Sequence, residues 1–408
     1  MDAATDLFYT AAVKKTPAPK KTTSSIRRTK PESKIDSQSA PVSAALMPPA
    51  AVIPEVPPKG KAAIGDWIWT CRPGFEVDLA QELLLLSPKC FAAPLDGPFV
   101  KSVRRPAILP VLGRQVLCVQ SILSTKTGSI TDVAAKISAS ILRGLANEKV
   151  VPASSHWSLH VWGPDTEEGK KQSAAIAQWQ TAVVQKLQAD VIGLSDPAAL
   201  GRDKSRSYDH VVAQVCFPRA ETAWVGVTRQ GELPSRFPGG QRRLQLPKGA
   251  PSRAFMKLDE ALEWLGVAPG PGDICVDLGA APGGWTWGLL KRGARVIAVD
   301  LGKLDPDVAK MRNLAHIIGN AFQFSPPEGV DWLFGDMVWR PLEVAALIAR
   351  WGKNHWARFF VVNIKLAMKK KVEMIYRIKT ILEQAGWRDV KARHLYHDRD
   401  EVTFVGHR

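Results

Sequence analysis

The chain has 408 residues, 45% of them hydrophobic, and is long enough to bury the cores of two or three domains. Its 55 lysines and arginines exceed its 39 acidic residues and give a net charge of +16. This excess favours a polyanionic partner such as nucleic acid, although charge alone leaves open a basic protein without one. The five cysteines are scattered without a C-x-x-C pair, and no apolar run approaches the roughly 18 residues of a membrane span. We therefore predict a cytoplasmic protein and exclude a disulfide framework, a bound metal and a membrane anchor.

Residues 1–63 form a tail rich in Lys, Pro, Ser, Thr and Ala, with few aromatic residues. Segments such as KKTPAPKKTTSSIRRTK cannot bury enough apolar surface to offset chain entropy, which predicts a disordered basic tail. Weak attraction to RNA and a solubilising role both fit this composition. A mitochondrial presequence fits less well, because Asp2 and Asp6 come so early.

Residues 64–235 mix strands and helices without a regular alternation, which predicts an α+β region. The pattern indicates strands at GDWIWT, RPAILPVLG, QVLCVQSIL and WSLHVWGP, and a hairpin of HVVAQVCF with TAWVGVTRQ. Helices are predicted at VDLAQELLLL, TDVAAKISASILRGLA and SAAIAQWQTAVVQKLQAD. A linker rich in Pro, Gly and Arg follows at 236–251.

From residue 252 to residue 408, strands and helices alternate, which predicts an α/β domain with a Rossmann-like parallel sheet. The strands are ICVDLG, ARVIAVD, AHIIG, VDWLFGD, ARFFVVNIK, WRDVKARHLY and EVTFVGH. Only HDRD joins the last two strands, which is too short for a crossover connection. We therefore predict that the last strand is antiparallel.

The stretch VDLGAAPGGWTWGLLKRGARVIAVD, from Val276 to Asp300, reads as a strand, a glycine-rich turn, a helix and a second strand. A P-loop needs Lys-Ser/Thr after the last glycine, and a dinucleotide site needs G-x-G-x-x-G; neither pattern is present. S-adenosylmethionine remains the favoured ligand. Gly279 and Gly283 permit close approach of the backbone, and Asp300 can accept hydrogen bonds from ribose hydroxyls.

DLGAAPGGWT also resembles the signature of the FtsJ-like RNA ribose 2′-O-methyltransferases, whose active site is a Lys-Asp-Lys-Glu tetrad. The resemblance implies four catalytic residues: Lys257 in SRAFMKLDEA, Asp336 in FGDMV, Lys365 in VVNIKL and Glu401 in RDEVTF. It also implies S-adenosyl-L-methionine as the cofactor. The implied cofactor contacts are Ser252, Gly279, Ala281, Pro282, Gly283, Gly284, Trp285, Asp300, Asn320 and Asp336.

Asn320 departs from the family pattern, which often has Asp at this place near the adenine. An amide carbonyl can still accept a hydrogen bond from the adenine amino group, so the departure affects affinity more than identity.

Segments outside these motifs, such as CRPGFEVDLAQEL, LPKGAPSRAFMKL and LYHDRDEVT, resemble a ribosomal RNA branch of the same family. That branch carries a ferredoxin-like, THUMP-containing RNA-binding region before the methyltransferase domain. The resemblance implies 2′-O-methylation of a cytidine in large-subunit (23S) ribosomal RNA, with the RNA or its precursor particle as partner. The candidate phosphate contacts are Arg236, Arg242, Arg243, Lys369, Lys370 and Lys371, for which a solvated charged face is the alternative.

A ribose 2′-hydroxyl is a weak nucleophile, so the enzyme must align it with the methyl group and help to remove its proton. We hypothesise that Lys365 is the base or steers the hydroxyl, and that Lys257 and Lys365 depress each other's pKa. Two alternatives stay open. One is a non-catalytic RNA-binding or ribosome-assembly factor that keeps the fold. The other, a DNA or protein methyltransferase, is disfavoured because GDMVWRP stands where an Asn/Asp-Pro-Pro-Tyr/Phe motif is expected.

Overall fold

The computed structural model describes residues 54–198, 208–366 and 369–408, so most of the predicted basic tail lies outside the described residues. The described residues form two four-stranded sheets followed by one seven-stranded sheet. Short 3₁₀ helices occupy Pro88–Cys90, Gln230–Glu232 and Pro238–Gly240.

The first sheet is antiparallel and has the strand order β2-β3-β1-β4. Its elements are β1 (Trp67–Thr70), α1 (Glu76–Leu86), β2 (Ala93–Pro94), β3 (Phe99–Ser102) and β4 (Gln115–Cys118). The strand predicted at RPAILPVLG is wrong, because residues 105–113 have no regular structure. Prolines remove backbone donors there, and the N–H groups of Val111 and Leu112 donate to the buried Glu82 carboxylate at 2.6 and 2.9 Å.

The second sheet has the order β5-β8-β7-β6, and its β7–β8 hairpin confirms the predicted pair of strands. Helices α2 and α4 cover one face, and the other face packs on the first sheet through Trp162 and Trp224. The elements are β5 (Ser121–Ser124), α2 (Ile130–Asn147), β6 (Trp157–Trp162), α3 (Glu167–Lys171), α4 (Ser173–Asp190), β7 (Val211–Arg219) and β8 (Thr222–Arg229).

The seven-stranded sheet has the order β11-β10-β9-β12-β13-β15-β14, and only β15 runs antiparallel to its neighbours. This confirms the Rossmann-like sheet and the reversed last strand. The strands are β9 (Ile274–Leu278), β10 (Arg295–Asp300), β11 (Leu314–Ile318), β12 (Val330–Gly335), β13 (Ala357–Lys365), β14 (Arg388–Arg393) and β15 (Glu401–His407). The helices are α5 (Ala254–Leu265), α6 (Gly284–Lys291), α7 (Pro306–Ala309), α8 (Pro341–Lys353) and α9 (Lys371–Gln384).

The strand order reverses between β9 and β12, because the chain leaves β9 toward β10 and later returns to the other side. In open α/β sheets, ligands bind at such a reversal, outside the carboxyl ends of the strands. The glycine-rich turn after β9 lies at this point. The fold therefore predicts a ligand site at the carboxyl edge of β9, β10, β12 and β13.

A single hydrophobic core joins α1 of the first sheet to α9 of the last. At its margin, Tyr376 donates its hydroxyl hydrogen to Glu82 at 2.9 Å, and the Lys371 ammonium lies 3.0 Å from Asp78. Burial raises the pKa of Glu82 to about 7, although three donors favour its charged form. The two halves of the chain therefore share buried apolar and polar contacts.

Candidate active site

Two lysines and two carboxylates alternate in a closed ring at the carboxyl edge of the large sheet. The Lys257 ammonium contacts Asp336 at 3.1 Å and also pairs with Glu401. The Lys365 ammonium contacts the remaining oxygens of the same two carboxylates, Asp336 at 3.2 Å and Glu401 at 3.3 Å. All four predicted catalytic residues thus come together, and no side chain among them is more than 20% exposed.

Four different elements deliver these side chains. Lys257 projects from the first turn of α5, and Asp336 directly follows β12. Lys365 ends β13 and Glu401 begins β15, and the two are direct partners in the antiparallel register. Because opposite residues of neighbouring strands lie close together, this register alone brings the lysine and the carboxylate into contact.

The charge environment of Lys257 contradicts the expected lowering of its pKa. Burial lowers the pKa of Lys257, but attraction to Asp336 and Glu401 outweighs it, so the net shift is upward. Burial raises the pKa of Glu401, but attraction to Lys257 and Lys365 outweighs it, so the net shift is downward. Lys257 is therefore held as a cation and Glu401 as an anion in this arrangement.

The glycine-rich turn packs tightly against its surroundings. Gly279 has a φ of +76°, and a Cβ atom there would collide with Met337. A Cβ atom on Gly284 would collide with the Ser252 hydroxyl, so this glycine allows the start of α6 to approach the segment that leads into α5. That approach sets the position from which α5 presents Lys257.

Asp300 holds the turn from the end of β10. One carboxylate oxygen accepts a hydrogen bond from the Ala281 N–H at 3.0 Å, and the other accepts from the Gly302 N–H at 2.7 Å. Each oxygen keeps a second lone pair, so the carboxylate can still accept from the hydroxyls of a ribose.

Two further predicted cofactor contacts, Ser252 and Asn320, lie beside the turn and after the strand next to β10. The Ser252 hydroxyl is buried beside the turn, and among the described residues it has no hydrogen-bond partner. Asn320 follows β11, the neighbour of β10, and its amide oxygen accepts from the Phe322 N–H at 2.9 Å. An unpartnered serine hydroxyl beside the turn and a carboxylate at the end of β10 fit a ligand with an amino-acid group and a ribose.

Trp285 has a different place. Its side chain is 3% exposed, its indole N–H donates to the Ala254 carbonyl at 2.9 Å, and its ring meets Phe334 edge to face. The side chain therefore belongs to the core that fixes α5 on α6.

Sequence reasoning overlooked Asp277, the acidic residue of the VDLG motif. It is 1% exposed on β9, and its carboxylate accepts a hydrogen bond from the Thr286 hydroxyl at 2.7 Å. Burial raises the pKa of Asp277 to about 6, against the lowering effect of Thr286. The signal was present in the motif, because a carboxylate inside a buried strand needs a reason.

We expect Asp277→Asn to change how stability depends on pH. Because the pKa of Asp277 is raised, its protonated form stabilises the folded state. This contribution to the free energy of unfolding is fully present below about pH 4 and is lost as the pH rises through about 6. The unfolding free energy of the variant should therefore rise relative to wild type over that interval, by up to about 3 kcal/mol. Urea unfolding between pH 4 and 8 measures the difference. Asp307→Asn, whose side chain is 92% exposed, is the control, and parallel curves for wild type and Asp277→Asn would contradict the assignment.

The predicted phosphate contacts divide into two groups. Arg236 and Arg242 both pair with Glu263 on α5, and Lys371 pairs with Asp78. These three cations are engaged in ion pairs within the protein, which link the connector to α5 and α1 to α9, and their contact with RNA stays a prediction.

The other three candidates reach solvent. Arg243 is exposed and donates to the Gln241 side chain at 2.8 Å. Lys369 is exposed, and the Lys370 side chain is 76% exposed with Glu373 at 3.6 Å. Lys369 and Lys370 follow the β13 strand end that carries Lys365, so they can meet a polyanion approaching the tetrad.

The segment that leads into Glu401 is held from outside the large sheet. Arg114, 3% exposed, directly precedes β4 of the first sheet, and one of its guanidinium nitrogens donates to three backbone carbonyls of this segment at 3.0 to 3.3 Å. On α5, Glu260 accepts from two backbone N–H groups of the same segment at 2.8 and 3.0 Å. The carbonyl oxygens bound by Arg114 are those of Leu395, Tyr396 and Asp398.

In the described ranges, no group of His, Cys, Asp and Glu has the arrangement of a metal site. No helix of these ranges is long and apolar enough to cross a membrane.

Comparison with known proteins agrees with this geometry. Residues 250–350 match the FtsJ-like methyltransferase family. Strand order, glycine-rich turn and family match together define the class of FtsJ-like methyltransferases, whose cofactor is S-adenosylmethionine. The chain is 34% identical to ribosomal RNA large subunit methyltransferase M of Laribacter hongkongensis, over 81% of this chain and 94% of that protein. The chain belongs to the ribosomal RNA large subunit methyltransferase M family.

Two further relatives of the same name match over shorter stretches. The Thauera aminoaromatica protein is 36% identical, and the match covers 59% of this chain and 66% of that protein. The Halorhodospira halophila protein is 40% identical, and the match covers 48% of this chain and 57% of that protein. These matches therefore span somewhat less than two thirds of the two relatives. Among solved structures, the Methanococcus jannaschii fibrillarin pre-rRNA processing protein is 22% identical over 37% of this chain and 74% of its own, with a TM-score of 0.31.

Proposed function

We propose that this protein methylates a ribose 2′-hydroxyl of large-subunit ribosomal RNA, or of its precursor particle, with S-adenosylmethionine as methyl donor. One observation carries the proposal: Lys257, Asp336, Lys365 and Glu401 form a closed ring of alternating charge beside the glycine-rich turn. By resemblance to the family, the acceptor is a cytidine.

When bound, S-adenosylmethionine supplies an electrophilic methyl group on a sulfonium. The chain's own residues must then orient the hydroxyl and take up its proton. Lys257 holds both carboxylates by its charge, and Asp336 and Glu401 in turn fix the Lys365 ammonium. Of the two lysines, Lys365 is the more exposed, and we assign it to the substrate hydroxyl. To act as the base it must be the neutral amine, whose nitrogen takes the hydroxyl proton and becomes the ammonium held between Asp336 and Glu401.

We further propose that residues 64–235 form the RNA-binding region, with residues 236–251 as the linker to a methyltransferase domain at 252–408. The unit of β5 to β8 with α2 and α4 on one face supports a ferredoxin-like, THUMP-type domain. The net charge of +16 supports a polyanionic partner.

The test compares ribosomal RNA from cells with and without this protein. We expect one 2′-O-methylated nucleotide of the large-subunit RNA to lose its modification in cells without the protein. Purified protein with S-adenosylmethionine should restore the mark on that RNA, either as free RNA or as precursor particles. An unchanged methylation map together with defective particle assembly would favour the non-catalytic alternative.

Charge removal at the active edge should change the salt dependence of RNA binding. For Lys369→Gln with Lys370→Gln, we expect the slope of log affinity against log salt to become shallower by about 0.7 to 0.9 for each phosphate that is no longer neutralised. Filter binding over a range of salt concentrations measures this slope. Lys353→Gln is the matched control, because this exposed lysine ends α8 at the opposite edge of the sheet. Equal slopes for wild type and the double variant would remove both lysines from the RNA interface.

A further inference from the structure

An exposed aromatic side chain stands next to the catalytic ring. Trp339 is 54% exposed and Val338 is 81% exposed, whereas most tryptophans of the described residues are buried or partly buried. Both belong to the GDMVWRP segment, three and two residues after Asp336. Three residues of extended chain span at most roughly 11 Å, so the Trp339 backbone lies within that distance of the Asp336 backbone.

The indole is held in place although it is exposed. Its N–H donates to the Glu343 carboxylate at 2.5 Å, and its ring lies 5.5 Å from the Phe322 ring, tilted by 48°. Glu343 lies in the first turn of α8, so a helix and an aromatic neighbour both limit the movement of the ring. A fixed, half-exposed aromatic face is a low-entropy surface for another planar group.

Exposed cations flank the ring in the chain and follow the neighbouring strand. The Arg340 side chain, next in the chain, is 84% exposed and pairs with Glu343 at 3.1 Å, and the exposed Lys369 and Lys370 follow strand β13. Proteins that bind single-stranded nucleic acid combine an aromatic face with exposed cations, because the bases stack on the aromatic ring while the phosphates pair with the cations.

We propose that Trp339 is a stacking platform for a nucleobase of the RNA substrate, at the target nucleotide or its immediate neighbour. This inference rests on the proposed function, because the ribose to be methylated must lie at the Lys365 ammonium, and its strand then passes the Asp336 loop. Trp339 is thus a positioning residue: it holds a base so that the attached backbone presents its hydroxyl to the ring of charges.

The experiment measures the binding of a fluorescent single-stranded oligocytidine and of an abasic strand of equal length. For Trp339→Ala, we expect the Kd for oligocytidine to rise about 5- to 150-fold, the factor that one base–aromatic stack corresponds to. The Kd for the abasic strand, which keeps the phosphates but has no bases, should stay within about twofold. Trp339→Phe, which loses the Glu343 bond but keeps a ring, should bind oligocytidine nearly as well as wild type.

Two controls make the result decisive. The Kd for S-adenosylmethionine should be unchanged in Trp339→Ala, since a parallel loss would make the ring part of the cofactor wall and overturn the proposal. Val267→Ala removes an exposed apolar side chain just beyond the C-terminal end of α5 and should leave oligocytidine binding unchanged. An equal loss of binding to both strands, no loss at all, or a defect seen only with ribonucleoprotein particles would each overturn it, the last by assigning the ring to a protein contact.

Failure of the proposed function has a different signature. A wild-type protein that binds S-adenosylmethionine and oligocytidine yet transfers no methyl group to ribosomal RNA would refute the activity. The base-dependent loss in Trp339→Ala would still stand in that case.

Discussion

Replacing Lys365 with alanine is expected to reduce methyl transfer to ribosomal RNA about 100- to 10,000-fold, the range that positioned proton transfer contributes to catalysis. The ammonium of Lys365 lies 3.2 Å from Asp336 and 3.3 Å from Glu401, so its removal takes from both carboxylates the lysine that faces the substrate hydroxyl in our proposal. Single-turnover transfer from labelled S-adenosylmethionine to undermodified ribosomal RNA measures the effect.

The arginine variant sharpens this test. Lys365→Arg keeps the positive charge between the two carboxylates, but a guanidinium does not give up its proton at neutral pH. If Lys365 is the base, the arginine variant should be nearly as inactive as the alanine variant, while both bind RNA and cofactor normally. Near-normal turnover in Lys365→Ala, with binding intact, would exclude Lys365 from the chemistry.

Replacing Arg114 with methionine is expected to lower the unfolding free energy by about 3 to 5 kcal/mol, the cost of removing one partner from a buried charged network. Three carbonyl oxygens of the segment before Glu401 would lose their donor, and Asp165, 3.6 Å from the guanidinium, would lose its cation. Methyl transfer should also fall, because the same segment leads into Glu401.

Chemical unfolding of wild type and variant measures the stability. Arg219→Met is the control, because its ion pair with Asp96 is 65% exposed on both sides and such pairs contribute at most about 1 kcal/mol. A similar small loss in Arg114→Met would mean that the bonds to the three carbonyls are readily replaced by water.

Much of the large sheet was predictable because its strands are apolar runs that alternate with helices. The N-terminal half was harder, since the pattern there is less regular. RPAILPVLG was predicted as a strand from its apolar residues, yet its backbone donors are used by Glu82, which lies on another element. Sequence patterns do not show such a partner.

The active site, too, could be predicted only in part from the sequence. Family resemblance supplied the identity of the four tetrad residues, but their alternation depends on strand register, which pairs Lys365 with Glu401. Positive charge in the sequence was a poorer guide to RNA contacts, because Arg242 and Lys371 form ion pairs with residues of other elements. Lys371 pairs with Asp78, 293 residues away in the chain. A basic side chain in the sequence reveals its charge but not whether that charge is already neutralised.

The hold of Arg114 on the Leu395–Asp398 backbone has a consequence for how this chain can be divided. A fragment that begins at the connector and lacks the N-terminal half would keep the complete large sheet and all four tetrad residues. Its segment before Glu401, however, would lose the three hydrogen bonds from Arg114. The same truncation would uncover the face of α9 that α1 packs against. The N-terminal half is therefore a structural part of the catalytic centre as well as a neighbour to it, and the two halves are expected to be inherited, exchanged and engineered as one unit.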